Sequence, residues 1–112
     1  MIPFAGWEMP VTYTGLINEH HCVRKSIGLF DISHMGVLTL EGENVKQVMQ
    51  KLVPTDLNRI GPKEACYSVL LNETGGILDD VIIYDIHNTE TLGDKMLVVI
   101  NAACSEKDTK WL

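Results

Sequence analysis

Val45, Val48, Met49, Leu52 and Val53 recur at i, i+3, i+4, i+7 and i+8, the one-sided spacing of an amphipathic helix, and Pro54 is placed to stop it. That stripe reads as core packing rather than as a cofactor-binding face. A second helical stripe, Leu16, His20, Val23 and Ile27, follows Thr14 as a cap and precedes Gly28 as a stop. It places His20 on the buried edge of its helix, where hydrogen bonding to backbone is the expected role.

Strand signals dominate the second half of the chain. Residues 65–71 read as a strand, Asn72-Glu73-Thr74-Gly75-Gly76 as a turn with two residues free to take positive φ, and 77–86 as the returning strand of a hairpin. After a polar loop over 87–94, residues 95–100 form another strand. From Asn101 the composition turns helical, with Ser105 as a cap and Asp108 three residues later. Earlier, 29–32 and 35–40 read as a strand or two broken around Ser33-His34, 11–13 as a short strand, and 2–10 as an ordered loop. The order is then roughly β-α-β-β-α-β-β-β-α, which predicts an α+β fold with a mostly antiparallel sheet in one domain over 1–112.

Composition narrows the function classes. A chain of 112 residues buries on the order of two thirds of its unfolded surface on folding, enough for one core. Its 46% hydrophobic and 21% charged content is that of a folded domain. A net charge of −6, with no basic run longer than Arg24-Lys25, disfavours nucleic acid as a partner. No apolar run approaches the roughly 18 residues of a membrane span, and no secretory leader pattern opens the chain, so no membrane partner is expected. The 3 cysteines, Cys22, Cys66 and Cys104, include no Cys-x-x-Cys pair and predict reduced thiols in a cytoplasm. His20-His21-Cys22 cannot converge on one ion, because adjacent helical residues point to different faces, so no metal is expected.

The stretch Gly75 to Asp85, GGILDDVIIYD, holds the chemical signal. Asp is depleted in strands, and an unpaired buried carboxylate costs several kcal/mol in rough terms. Period-two alternation puts Asp79, Val81, Ile83 and Asp85 on one face and Leu78, Asp80, Ile82, Tyr84 and Ile86 on the other. Asp80 is thus the sole charge on an apolar face, where desolvation disfavours its charged form and suits it to proton transfer or to holding a basic nitrogen. Two structural roles stand beside that reading: pairing with an Arg or Lys elsewhere, or closing a turn through backbone N–H groups. Asp79 reads as a solvated or turn-stabilising acid.

Four segments together, FAGWEMPVTY at 4–13, VRKSIGLFDISHMG at 23–36, YSVLLNETGGILDDVIIYD at 67–85 and VVINAACSEKD at 98–108, resemble the amino-terminal part of the glycine-cleavage aminomethyltransferases, the T-proteins. The resemblance implies the first part of a three-subdomain folate-binding fold. It implies a transferase that takes the aminomethyl group from the lipoyl arm of a carrier, the H-protein, releases ammonia and forms 5,10-methylenetetrahydrofolate from tetrahydrofolate. It implies that Asp80, the second Asp of the Gly-Gly-x-x-Asp-Asp stretch, lies at the folate as the catalytic carboxylate. By the same resemblance Tyr67 and Asn101 line the folate pocket and Met35 makes an apolar contact there. Core packing for Tyr67 and Met35, and a cap or turn for Asn101, are the structural alternatives.

The compartment implied is the cytoplasm, or the mitochondrial matrix in a eukaryote. Folate-binding relatives of the kind linked to iron–sulfur cluster assembly, demethylating or dehydrogenase-fused members, and a non-catalytic interaction domain are the rival functions. The family chain is longer than 112 residues and has a short helical segment before FAGW, so both ends are expected to be cut. The segment alone should then expose docking surfaces and self-associate. Size-exclusion chromatography of the 112-residue chain tests this: elution as dimer or larger is expected, and a well-behaved monomer would contradict it.

Overall fold

The structure is a computed structural model that describes residues 1–87 and 93–112. It divides into two compact units, Met1–His34 and Met35–Leu112.

In the first unit, strands β1 (Ile2–Phe4) and β2 (Trp7–Met9) pair antiparallel. Their connection is Ala5-Gly6, both with positive φ, 49° and 85°. A two-residue turn of this kind ordinarily carries Asn-Gly or Gly-Gly, and Ala at the first position hides it, so that 2–10 reads from sequence as an ordered loop. Helix α1 runs Leu16–Lys25, with Gly15 rather than Thr14 at its N-cap. The carboxylate of Glu19 does the capping instead: its Oε1 accepts from Tyr13 N at 2.7 Å, Gly15 N at 3.0 Å and Thr12 Oγ1 at 3.0 Å. Hydrogen bonds from the Thr14 and Tyr13 N–H groups, above all, hold Glu19 down to about 2.

Two further expectations fail in this unit. No residue of α1 is buried, so His20 lies outside any core rather than serving as a core histidine. Residues 29–32 and 11–13 form no strand. Asp31 Oδ1 accepts Ser33 N at 2.9 Å, a local turn that competes with an extended ladder. Phe4 and His34 meet edge to face with centroids 5.8 Å apart.

The second unit is built on a four-stranded antiparallel sheet of β3 (Gly36–Gly42), β4 (Ala65–Leu71), β5 (Ile77–Asp85) and β6 (Asp94–Ile100) in the order β3-β6-β5-β4. Three consecutive strands form a meander and the first returns beside the last, the spatial order of a Greek key. Of the expected loop over 87–94, residues 88–92 lie outside the described residues. The hairpin turn is held by Asn72, whose Oδ1 accepts from Thr74 N at 3.0 Å and Gly76 N at 2.7 Å, while Gly75 takes φ 82°.

One sheet face builds the core. Leu70, Val81, Ile83, Met96, Val98 and Ile100 are buried there beneath Met49, Val53, Leu57 and Ile60, each side chain worth roughly 1.5–3 kcal/mol of burial. Helix α2 is Val45–Gln50, shorter than its stripe. Val53 reaches the core from outside the helix, because a residue before proline avoids the α region, and Val48 is exposed. Gln50 fixes the chain that follows: its amide donates to Thr55 O at 2.9 Å, and its Oε1 accepts Leu57 N at 2.7 Å. The buried Asp85 is paired with Lys46 at 2.9 Å and accepts His87 N at 3.0 Å.

After β6 the chain makes a short 3-10 turn, Ala102–Cys104, and then helix α3, Ser105–Trp111. Ser105 is therefore the first helical residue and not the cap. Lys107 Nζ donates to Leu78 O at 2.7 Å, tying α3 to the start of β5. Gly36 lets this corner close, since a Cβ there would lie 2.5 Å from Ile100 Cγ1 and 3.4 Å from Ser105 Cβ. Gly36→Ala should therefore cost about 1–3 kcal/mol through overpacking, read as a lower urea midpoint at unchanged slope. A loss within about 0.5 kcal/mol would show that Ile100 moves aside freely.

Candidate active site

Strand β5 pairs with β4 on one side and β6 on the other, so its alternate residues face opposite sides of one sheet. Asp79 belongs to the core side with Val81, Ile83 and Asp85. Asp80 belongs to the other side with Ile82 and Tyr84, where Val37 and Tyr67 are more than half exposed. The partition of the two acids is as the alternation predicts, but their surroundings correct the expected contrast. The apolar neighbours of Asp80 form an open face, and Asp79, expected to be solvated, has its Oδ2 fully buried.

Asn101 bridges the two. It leaves β6 one residue past the Gly36–Ile100 pair, and its Nδ2 donates to Asp79 Oδ1 at 3.0 Å, Asp80 Oδ1 at 3.0 Å and Asp80 O at 3.2 Å. Asp79 Oδ1 also accepts Asp80 N at 2.9 Å. Asn101 accordingly caps nothing with its side chain. Its amide spends its hydrogens on the acid pair.

Tyr67 sits opposite Ile82, and Val69 opposite Asp80. The tyrosine is thus the diagonal neighbour of Asp80 on the same face, within reach of a long side chain. Desolvation, followed by the Asp80 charge and a hydrogen bond with Asp80, raises the Tyr67 hydroxyl above its ordinary value. Met35 enters β3 at the end of the ladder that Asn101 leaves, is half-buried, and makes no polar contact with the others. The structure therefore gathers Asp80, Asn101 and Tyr67, with Met35 at the margin. Among the described residues no Lys or Arg forms an ion pair with Asp80.

Two cavities lie elsewhere. One of about 350 Å³ opens between β3 and α2 against Leu40, Val45, Met49 and Leu112, and one of about 330 Å³ lies in the first unit against Trp7, Tyr13 and Phe30. Asp80 lines neither. It presents a carboxylate, held by the Asn101 amide and flanked by Tyr67, on an open apolar surface. Such an arrangement can accept N–H donors of a flat ring laid on the sheet and exchange a proton with it.

Two residues of this corner carry no site signal in the sequence reading. Asp108 is completely buried and Cys104 half-buried, both beside Asp79. The signal available for Asp108 is helical phase: it precedes Leu112 by four residues, and Leu112 packs on the core. Burial, then a hydrogen bond to Asp79 and the charge of Asp79, push Asp108 up to about 6. Burial alone would raise Asp79 as well, but hydrogen bonds from Cys104, Asn101, the Asp80 N–H and Asp108 outweigh it and hold Asp79 down to about 2.

Comparison with known proteins places this corner in a family. The whole chain, residues 1–112, matches the family described as the GCVT N-terminal domain. It is 65% identical over its full length to the aminomethyltransferase of Prochlorococcus marinus strain MIT 9303, and 62% identical to that of Parasynechococcus marenigrum strain WH8102. It spans 30% of the length of each of these relatives. The glycine cleavage system aminomethyltransferase T from Bartonella henselae superposes on 97% of this chain with a TM-score of 0.83 at 36% identity, over 29% of its own length. The chain belongs to the GCVT N-terminal domain family.

The raised Asp108 generates a pH prediction. Its folded-state value exceeds its unfolded one, so its contribution to stability is complete below about pH 4 and is lost as pH rises through about 6. Asp79 works in the opposite sense and only in acid, losing its contribution as pH falls toward about 2. Between pH 4 and 7 the chain should lose on the order of 2–3 kcal/mol, and Asp108→Asn should remove that loss. Urea unfolding of both proteins at several pH values checks this, and an unchanged pH dependence in the variant would refute it.

Proposed function

We propose that this chain is the amino-terminal segment of a tetrahydrofolate-dependent aminomethyltransferase of glycine cleavage. The observation that carries the reading is the carboxylate of Asp80, held by Asn101 beside Tyr67 on an open apolar sheet face, in a chain 65% identical to an aminomethyltransferase. The substrates are the aminomethyl group on the lipoyl arm of the H-protein and tetrahydrofolate. The products are 5,10-methylenetetrahydrofolate, ammonia and the reduced lipoyl thiol.

In this reading the methylene carbon loses its bonds to sulfur and to nitrogen and gains two bonds to folate nitrogens. The two folate N–H hydrogens leave, one to the ammonia and one to the lipoyl sulfur. Asp80 orients the pterin through an N–H donor, stabilises positive charge on the methylene as ammonia departs, and relays one of the protons. Asn101 fixes the carboxylate rotamer, and Tyr67 offers the ring an aromatic edge. Met35 supplies apolar contact at the end of the sheet.

The test is Asp80→Asn in a complete aminomethyltransferase in which this segment replaces the corresponding region. Folding and tetrahydrofolate affinity should be largely kept, while turnover falls by about 10²–10⁴-fold. Near-normal turnover would remove Asp80 from the mechanism. Absence of saturable tetrahydrofolate binding by the unsubstituted chimera, followed by calorimetry, would favour a non-catalytic docking domain.

A further inference from the structure

Among the described residues, three carboxylate oxygens of the second unit, Asp79 Oδ2 and both Oδ1 and Oδ2 of Asp108, are buried and accept no hydrogen bond. Asp108 is wholly inaccessible in the middle of α3. If both acids were ionised, two like charges would face each other with buried lone pairs unsatisfied, the situation in which a carboxylate pair retains one proton. A proton on Asp108 turns it into a donor to Asp79, and gives two of the three orphaned oxygens, one on each acid, a partner. Asp79 Oδ1 is already engaged, accepting from Asn101 Nδ2 and Asp80 N. The same Nδ2 holds Asp80 Oδ1 at 3.0 Å. With that proton in place, a continuous hydrogen-bonded path runs from the interior of α3, through the sheet, to the carboxylate on its open face.

We propose that Asp79 and Asp108 share a single proton and act as a positioning pair, setting the Asn101 amide and through it the Asp80 carboxylate. The proposal rests on the reading that Asp80 is the reacting carboxylate, and deepens it. Neither acid of the pair touches substrate in this scheme. When the shared proton is lost, repulsion between the two carboxylates displaces Asp79, and Asn101 loses one of the acceptors that orient it.

The neighbouring charged and titratable groups are few. Lys107 Nζ lies 3.8 Å from Asp108 Oδ1 but donates to Leu78 O at 2.7 Å. The Cys104 thiol lies beside Asp79, and that acceptor, above all, raises it above its ordinary range. Asp80 adds negative charge from the other face and Tyr67 a neutral hydroxyl. The balance favours retention of the proton: one partly occupied lysine against two acids. The elevated Asp108 and depressed Asp79 are the pattern expected of such a pair.

Carboxyl-carbon and side-chain amide NMR titration of the 112-residue chain tests the pair without folate or turnover, so its outcome is separable from that of the transferase reading. The Asp108 carboxyl should titrate well above the ordinary carboxylate range, and the Asn101 amide protons should shift with the same midpoint. In Asp108→Asn, whose amide replaces the acid as a permanent donor, the Asn101 protons should keep their low-pH position at every pH. Asp108 and Asp79 both titrating within or below the ordinary carboxylate range would overturn the proposal. So would Asn101 resonances that stay fixed through the Asp108 transition. Should the variant fail to fold, the wild-type titration decides alone.

Discussion

A β-strand sends neighbouring side chains to opposite faces, and the acid pair of β5 turns that constraint into a connection. Asp79 faces the core side and Asp80 the open side, yet one amide group, Nδ2 of Asn101, donates to both. It can do so because β6 ends one residue before it, beside β5, where the chain turns away into the 3-10 segment and α3. The position of the open-face carboxylate therefore depends on how α3 is anchored, through Lys107 on Leu78 O and through the buried Asp108. Gly36, by admitting Ile100 and Ser105 to the same corner, is part of the same support.

The two faces of the sheet divide the buried core from the open surface that presents Asp80. The face under Met49, Leu57 and Ile60 carries the apolar burial that holds the unit together. Three acids also lie on that side, each handled differently. Asp85 is paired with Lys46 and accepts the His87 N–H, Asp79 Oδ1 is held by neutral donors, and among the described residues Asp108 has no donor of its own. Buried carboxylates are tolerated only when charge is balanced or removed. The first two meet that condition by pairing and hydrogen bonding. In the proposed pair the third meets it by protonation, which makes the corner near Asn101 sensitive to pH.

Much of this is legible in the residues themselves. Strands β4, β5 and β6 follow from alternation and from the Asn72 to Gly76 turn, because those signals are local and the observed bounds differ from the expected ones by a residue at most. The sorting of Asp79 from Asp80 is likewise a local property. Which of the two faces is covered is not. It depends on α2 and the segment through Ile60 landing on one side of the sheet, a long-range fact that no alternation within β5 encodes. The same gap explains His20, whose helical stripe is regular but finds no buried environment. It also explains Ala5-Gly6, where positive φ at an alanine is imposed by the pairing of β1 with β2. Asp108 stands in the sequence as a capping residue, and only the packing of α3 shows it to be interior.

If Asn101 acts on the reacting carboxylate rather than beside it, the two residues must be energetically coupled in the reaction. A double-mutant cycle of Asn101→Ala and Asp80→Asn on turnover in the complete transferase measures that coupling directly. With the amide working through Asp80, the double variant should be no slower than Asp80→Asn alone, to within about 0.5 kcal/mol in activation free energy. Losses that simply add would mean that Asn101 and Asp80 serve the reaction independently, contradicting a carboxylate positioned by the amide.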